Sequence, residues 1–181
     1  MITKKDIRNS LLKVGLKKDM TVLISSSLIS LGPASTKNYY KNFLDEIRKI
    51  IGKKGTICVN SYSTDIVRYN KLYKKFKSPS NSGGFENFLK KQKLSFTSDH
   101  PAHSVTSLGY NAKYICINNG LNNYDLNSPY FKLLNLKAKI LRIGLGYESN
   151  VYTHIAEALC GAPYFYCKWL KVKIGRNKFK Y

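Results

Sequence analysis

The stretch TVLISSSLISLGP, residues Thr21 to Pro33, decides the fold. It starts as a β-branched and apolar run, turns into three consecutive serines and stops at Gly32-Pro33, the pattern of a buried strand running into a polar turn. A strand without apolar/polar alternation belongs to a sheet covered by helices on both faces. The carboxyl end of such a strand is also where open α/β sheets bind ligands. Ser25, Ser26 and Ser27 are therefore candidate hydroxyl and amide donors, with ordinary turn chemistry as the competing explanation.

Working outward, the same alternation of strand and helix repeats. Thr3 followed by Asp6 caps an amphipathic opening helix in which Ile7, Leu11, Leu12 and Leu16 recur at helical spacing. Lys37 to Ile51 places Tyr40, Phe43, Leu44, Ile47, Ile50 and Ile51 on one stripe and closes at Gly52, and Gly55 to Tyr62 reads as a second strand. Residues 63–81 are polar and Lys-rich, which predicts a long surface loop. A helix is expected over Phe85 to Leu94, an extended segment over Ser98 to Gly109, two short helices at Ala112 to Asn118 and Ser128 to Leu136, and a strand at Ala138 to Leu145. The last helix runs from about Val151 to Cys160, with Ser149 or Asn150 as its cap and Gly161 and Pro163 after it. The fold class is thus α/β, three layers with a central mixed, largely parallel sheet. Lys168 to Tyr181, with six basic groups and no acidic one, is a basic terminal strand or tail.

A length of 181 residues suits one domain with a core of ordinary size, and 43% hydrophobic content supports it without disulfides or a structural metal. Lys and Arg total 31 against 10 Asp and Glu, a net charge of +21, which invites a nucleic-acid or membrane-surface function. Only five of those 31 are Arg, however, while Asn, Tyr and Ile are plentiful, so the excess also fits a compositional background. The cysteines Cys58, Cys116, Cys160 and Cys167 form no CxxC pair and no signal peptide is visible, which makes a reduced, cytoplasmic chain the expectation. No stretch approaches the roughly 18 to 20 apolar residues of a membrane span.

Chemistry has few candidates. Of the three histidines, His154 lies near the start of the last helix and Glu157 follows three residues later, about 60° around the axis, so the carboxylate can orient the ring. That pair suits a general base, although HxxE on an amphipathic helix is common without function. Cys160 faces away from His154 and the other cysteines sit in apolar runs, which argues against a thiol nucleophile. His100-Pro-Ala-His103 offers two ligands that Pro101 keeps from helical pairing, so no metal is expected. Gly144-Leu-Gly146 lacks the third glycine of a dinucleotide fingerprint and any GK[ST]. The stretch RYNKLYKKFK, Arg68 to Lys77, interleaves five basic residues with aromatics that could stack on bases, but it also reads as a solvated Lys-rich loop, and no recognisable nucleic-acid-binding module accompanies it.

Four blocks, in order, resemble the aminoglycoside 3-N-acetyltransferase family, the antibiotic N-acetyltransferases. They are Thr21 to Pro33; Ser80-Asn-Ser-Gly83 followed by Phe85 and Phe88; Ser98, His100, Pro101, Ser104 and Gly109 in Ser-x-His-Pro-x-x-Ser-x-x-x-x-Gly; and Asn127-Ser128-Pro129, the strand to Gly144, Thr153-His154-x-x-Glu157 and Gly161-Ala-Pro163-Tyr164. The likeness spans roughly residues 5 to 170, with Thr97 standing where the family usually carries Arg. It implies a single acetyltransferase-like domain over residues 1–181 that lacks the family's C-terminal part, and acetyl transfer from acetyl-CoA to an amine of an amino sugar, most simply the 3-amino group of an aminoglycoside. It also implies His154 as base, Glu157 as its support, and an acetyl-CoA channel lined by Ser25, Ser26, Ser27, Leu31, Gly32, Pro33, Ser35, Ser80, His100, Ser104 and Val105. No metal takes part, and a homodimer is left open. Two alternatives stay within this resemblance: a nucleotide-linked amino sugar as acceptor, better matched to a +21 surface, or an inactive truncated copy. A basic nucleic-acid-binding module is the rival of another class.

Overall fold

A computed structural model describes residues 2–33, 38–69, 71–75, 77–120, 122–146, 150–166, 169, 171–174 and 177–180. The helix α1 (Lys4–Lys13) opens with a capping box in which the Asp6 N–H donates to Thr3 Oγ1 at 3.2 Å and the Thr3 N–H donates to Asp6 Oδ2 at 2.9 Å. After it come β1 (Thr21–Ser26), a 3₁₀ turn (Leu28–Leu31), α2 (Tyr39–Ile51) and β2 (Thr56–Tyr62). Next are α3 (Thr64–Arg68), β3 (Leu72–Tyr73), α4 (Gly84–Lys90), β4 (Phe96–Thr97) and β5 (His103–Gly109). The chain continues through α5 (Ala112–Cys116), α6 (Pro129–Asn135), β6 (Lys139–Ile143), α7 (Val151–Leu159), β7 (Lys171–Ile174) and β8 (Asn177–Lys180).

The main sheet has the order β4-β5-β2-β1-β6. β1 pairs in parallel with both β2 and β6, while β2 with β5 and β5 with β4 are antiparallel. The sheet is mixed, as expected, with parallel and antiparallel ladders in equal number. The antiparallel half arises because residues 98–102 turn the chain back between β4 and β5, where Ser98 N–H donates to the Val105 carbonyl at 2.9 Å and Val105 N–H donates to Ser98 Oγ at 2.9 Å.

Alternation on β1 and β2 explains the unbroken apolar runs. Val22, Ile24, Ile57 and Val59 join Ile7, Phe43, Ile47 and Phe85 on the face covered by α1, α2 and α4. Leu23, Cys58 and Val105 join Ile115, Tyr130, Leu133 and Ile155 on the face covered by α5, α6 and α7. Helices on both faces make three layers, and the apolar residues of β1 and β2 are buried whichever way they point.

The expected bare loop over residues 63–81 is corrected. It contains α3 and β3, and β3 pairs in parallel with β7 in a second sheet of order β3-β7-β8. Ile66 and Tyr73 are buried against Val172, a partner a hundred residues away that local pattern does not reveal. The basic tail is accordingly an antiparallel pair, Lys171–Ile174 with Asn177–Lys180.

Ile24 has no exposed surface, whereas Ile29, five residues on, is 86% exposed. Ile24→Ala is expected to lower unfolding free energy by about 2–5 kcal/mol in urea titration, and Ile29→Ala by at most about 0.5 kcal/mol.

Candidate active site

Parallel pairing brings the carboxyl ends of β1, β2 and β6 to one edge of the sheet, and the antiparallel β5 begins there with His103 opposite Tyr62. The serine turn after β1 is held to the end of β6. Ser27 N–H donates to the Ile143 carbonyl at 2.8 Å, and the Ser30 hydroxyl lies 2.7 Å from the Ser27 carbonyl and 2.8 Å from that of Gly144. Gly144 has φ +63°, and a Cβ there would run into Ser30 and the Ser27 carbonyl, so glycine is required at this crossing.

At this edge, on the α5–α7 side, lies a pocket of about 200 Å³ lined by Leu23, Ser25, Asn60, Tyr62, His103, Tyr124, Ile140, Asn150, Val151 and His154. Asn150 caps α7, its side chain accepting the Tyr152 N–H at 3.0 Å, and so fixes the first turn that carries His154. His154 Nδ1 lies 2.7 Å from Glu157 Oε2, and Tyr164 OH donates to Glu157 Oε1 at 3.3 Å. A carboxylate only accepts, so Nδ1 carries the hydrogen of this contact, and in the neutral ring the lone pair is then on Nε2, the tautomer a base needs. The His154 side chain is 48% exposed and that of Glu157 19%, which leaves the ring open to a substrate and the carboxylate shielded. The negative charge of Glu157 pushes the Tyr164 phenol above its ordinary pKa and keeps it a donor.

Behind the pocket is a row of rings. His103 packs on Tyr62 with centroids 5.1 Å apart and lies parallel to His100 at 5.6 Å, and Asn123 Nδ2 is 2.6 Å from His103 Nδ1. His100 Nδ1 accepts the N–H groups of Ala102 and His103 at 3.2 and 3.0 Å. Burial lowers the pKa of both imidazoles, that of His100 to about 4 with the neighbouring His103 adding to the effect.

The structure places the sequence-predicted residues unequally. Ser25, His154 and Glu157 come together at the pocket, as described. Ser26 points to the other face, 3.5 Å from the buried carboxylate of Glu86, whose pKa burial raises. Ser27 belongs to the turn, and Leu31 is exposed. Gly32 and Pro33 line a separate open groove of about 490 Å³ with Leu28, Ile29, Tyr39 and Tyr40, and Ser35 lies outside the described residues. Ser80 is tied into its own turn, its N–H donating to Asn87 Oδ1 at 2.7 Å. Ser104 and Val105 have no exposed surface, and the Ser104 hydroxyl donates to the Ser61 carbonyl at 2.7 Å. His100 stands behind His103. Sequence reasoning missed Asn60, Tyr62, His103 and Tyr124 as pocket residues; the signal was Asn60 and Tyr62, polar groups two apart that follow Cys58 on one face of an otherwise apolar strand.

Other chemistries find less. Cys58 and Cys116 are free and buried, which raises their thiol pKa values, that of Cys116 to about 11. Among the described residues no three His, Cys, Asp or Glu gather as a metal set, and no helix is long and apolar enough to cross a membrane.

A carboxylate-oriented imidazole beside a pocket at the carboxyl edge of the parallel strands is an arrangement able to take a proton from a nucleophile bound there. Residues 23–178 match the family described as Aminoglycoside 3-N-acetyltransferase. The chain belongs to this family of acyltransferases. No curated protein matches it by sequence. Among solved structures it is similar to AAC-IIIb in its binary complex with CoASH, at 18% identity and TM-score 0.85, covering 99% of this chain and 74% of that one. The YokD protein from Bacillus subtilis gives 23% identity and TM-score 0.85 over 99% of this chain and 79% of its own. AAC-VIa bound to Sisomicin gives 19% and 0.81 over 99% and 74%.

The low pKa of His100 carries a sign. An unfolded histidine titrates near 6.5 and this one near 4, so the native state binds fewer protons, and the stabilisation present above pH 6.5 is lost as pH falls toward 4. The loss from this group is about 3 kcal/mol, and urea titrations of His100→Gln across that range are expected to show the shallower decline.

Proposed function

We propose that this chain moves an acetyl group from acetyl-CoA to an amine of an amino sugar, with the 3-amino group of an aminoglycoside as the leading acceptor. The observation that carries this reading is the 2.7 Å contact between His154 Nδ1 and Glu157 Oε2 at the mouth of the pocket. A sugar ammonium has no lone pair with which to attack a thioester. His154 Nε2 takes its proton, Glu157 stabilises the imidazolium that forms, and Tyr164 keeps Glu157 aligned. The amine attacks the acetyl carbon directly, which agrees with Cys58 and Cys116 being buried and with Cys160, though exposed, lying at the far end of α7 outside the pocket lining. Acetyl-CoA as donor is supported by family membership and by CoASH in the complex of AAC-IIIb. Ser25, Ser27, Leu31, Gly32, Pro33, Ser35, Ser80 and His100 remain the proposed channel for it, whereas Ser26, turned to Glu86, and Ser104 and Val105, with no exposed surface, fall outside it; the cytoplasm, where thiols stay reduced, is the proposed setting.

One observation favours a second acceptor class. Among the described residues the pocket lining contains no carboxylate, and Glu157 beside it is already engaged by His154 and Tyr164. With a surface of +21 around it, a nucleotide-linked amino sugar would approach more readily than a polycation.

Thioester cleavage with acetyl-CoA is expected with sisomicin or with a nucleotide-linked amino sugar, and His154→Ala is expected to lower kcat by about 10²–10⁴. Full turnover by His154→Ala removes the base assignment. Acetyl-CoA is expected to raise the melting temperature; binding of nucleic acid that weakens steeply with salt, with no such effect of acetyl-CoA, would replace the enzyme reading.

A further inference from the structure

We propose that Ser25 donates its hydroxyl hydrogen to the acetyl oxygen of the bound thioester, and that Asn60 and Tyr130 are positioning residues that aim it. This inference rests on the acetyl-transfer reading above.

With the Asn60 amide oxygen toward Tyr130 and its nitrogen toward Ser25, counting protons sets the direction of the chain that ends at Ser25. The Tyr130 hydroxyl lies 3.0 Å from Asn60 Oδ1 and 3.1 Å from the Tyr62 hydroxyl, and Tyr130 has no exposed surface. An amide oxygen only accepts, so the single Tyr130 hydrogen goes to Asn60, and the hydrogen between the two phenols is that of Tyr62. Burial raises the pKa of both phenols, so both hydrogens are in place at neutral pH. With its oxygen occupied, Asn60 presents Nδ2 to Ser25 and donates to Oγ at 3.3 Å. Ser25 thus accepts on one side and keeps its own hydrogen for the other. Each link polarises the next, which makes the terminal O–H a better donor than an isolated serine.

Ser25 shares the pocket with His154, so the two ends of the reaction meet there. Once the ammonium's first proton has passed through His154 to solvent, the neutral amine nitrogen bonds to the acetyl carbon as His154 Nε2 takes its second proton, and the carbonyl electron pair moves onto the oxygen held by Ser25. Collapse of that oxyanion breaks the C–S bond, and the proton on His154 passes to the departing CoA thiolate. The products are an amide and CoA thiol, and Ser25 retains its hydrogen throughout. Such a donor lowers the barrier because it is fixed before charge develops.

The test uses acetyl-CoA labelled with ¹³C at the acetyl carbonyl, bound to the full chain without acceptor. The carbonyl resonance is expected to move downfield on binding, to lose that shift in Ser25→Ala, and to lose part of it in Tyr130→Phe. With hydroxylamine as a small acceptor, kcat is expected to fall by about 10²–10³ in Ser25→Ala. Tyr130→Phe is expected to lower kcat in the wild-type background and to have no further effect in Ser25→Ala, because it acts through that serine. An unshifted carbonyl in the bound wild type, the result if Asn60 is turned over and takes the serine hydrogen, overturns the proposal while leaving acetyl transfer standing. So does an equal Tyr130→Phe loss in both backgrounds, which marks a purely structural role. Failure of the wild type to bind acetyl-CoA overturns the acetyl-transfer reading and this one with it.

Discussion

The parallel pairing of β1 with β2 on one side and β6 on the other is the constraint on which the rest of the molecule depends. Parallel strands end together, so Ser25, Asn60 and the β6–α7 connection reach one edge without any loop having to carry them there. The pairing also sets which face each serine takes. In the observed register Leu23 and Ser25 look toward α5, α6 and α7, and Val22, Ile24 and Ser26 look toward α1, α2 and α4. A slip of one residue would exchange Ser25 for Ser26, sending the pocket hydroxyl to Glu86 and Ile24 into the pocket floor. Because both faces are buried, such a slip misplaces apolar packing in two cores at once, and the site inherits its definition from that packing.

The two kinds of polar group at the site are supported differently, and the difference follows from their surroundings. Tyr130 and Asn60 stand where water is scarce, and an unpaired hydroxyl or amide there would cost more than in solvent, so each is tied to the next. His154 is half exposed and, among the described residues, is held by a hydrogen bond to the shielded Glu157 and by the Tyr124 ring, 5.7 Å away. A proton acceptor must exchange its proton with substrate and product, which an open ring on the first turns of α7 permits. A hydrogen-bond donor has only to stay fixed, and a buried network fixes it.

Much of the fold was legible because β1, β2 and β6 are short apolar runs bounded by turn residues, and α2 shows an uninterrupted stripe from Tyr39 to Ile51. The second sheet was not legible. Leu72-Tyr73 is too short and too polar in context to declare itself, and Val172, which buries Tyr73, lies a hundred residues on. At the site, His154 and Glu157 were readable because both sit on one helix, where spacing is geometry. His103, Tyr62 and Tyr124 come from separate elements and meet only through tertiary packing. His100 and His103 drew attention as metal ligands through their spacing; in the fold they stack with rings 8° from parallel, and His100 turns its Nδ1 to backbone N–H groups instead.

The same packing bears on what can enter. Ser25 and Asn60 are neutral, and Glu157, which the described residues place at the mouth, already accepts from His154 and Tyr164. Among the described lining residues a polycationic acceptor therefore finds hydroxyls and aromatic faces but no free anion to replace the water its ammonium groups give up, and over distances beyond about 8 Å at physiological salt the surface charge is screened in either direction. The chain as a whole carries 31 basic against 10 acidic residues, so each additional positive charge on the acceptor adds to a net repulsion as it approaches. An acceptor with one amine near the base and oxygens elsewhere places its single charge where His154 and Glu157 relieve it, and its remaining groups where donors await them.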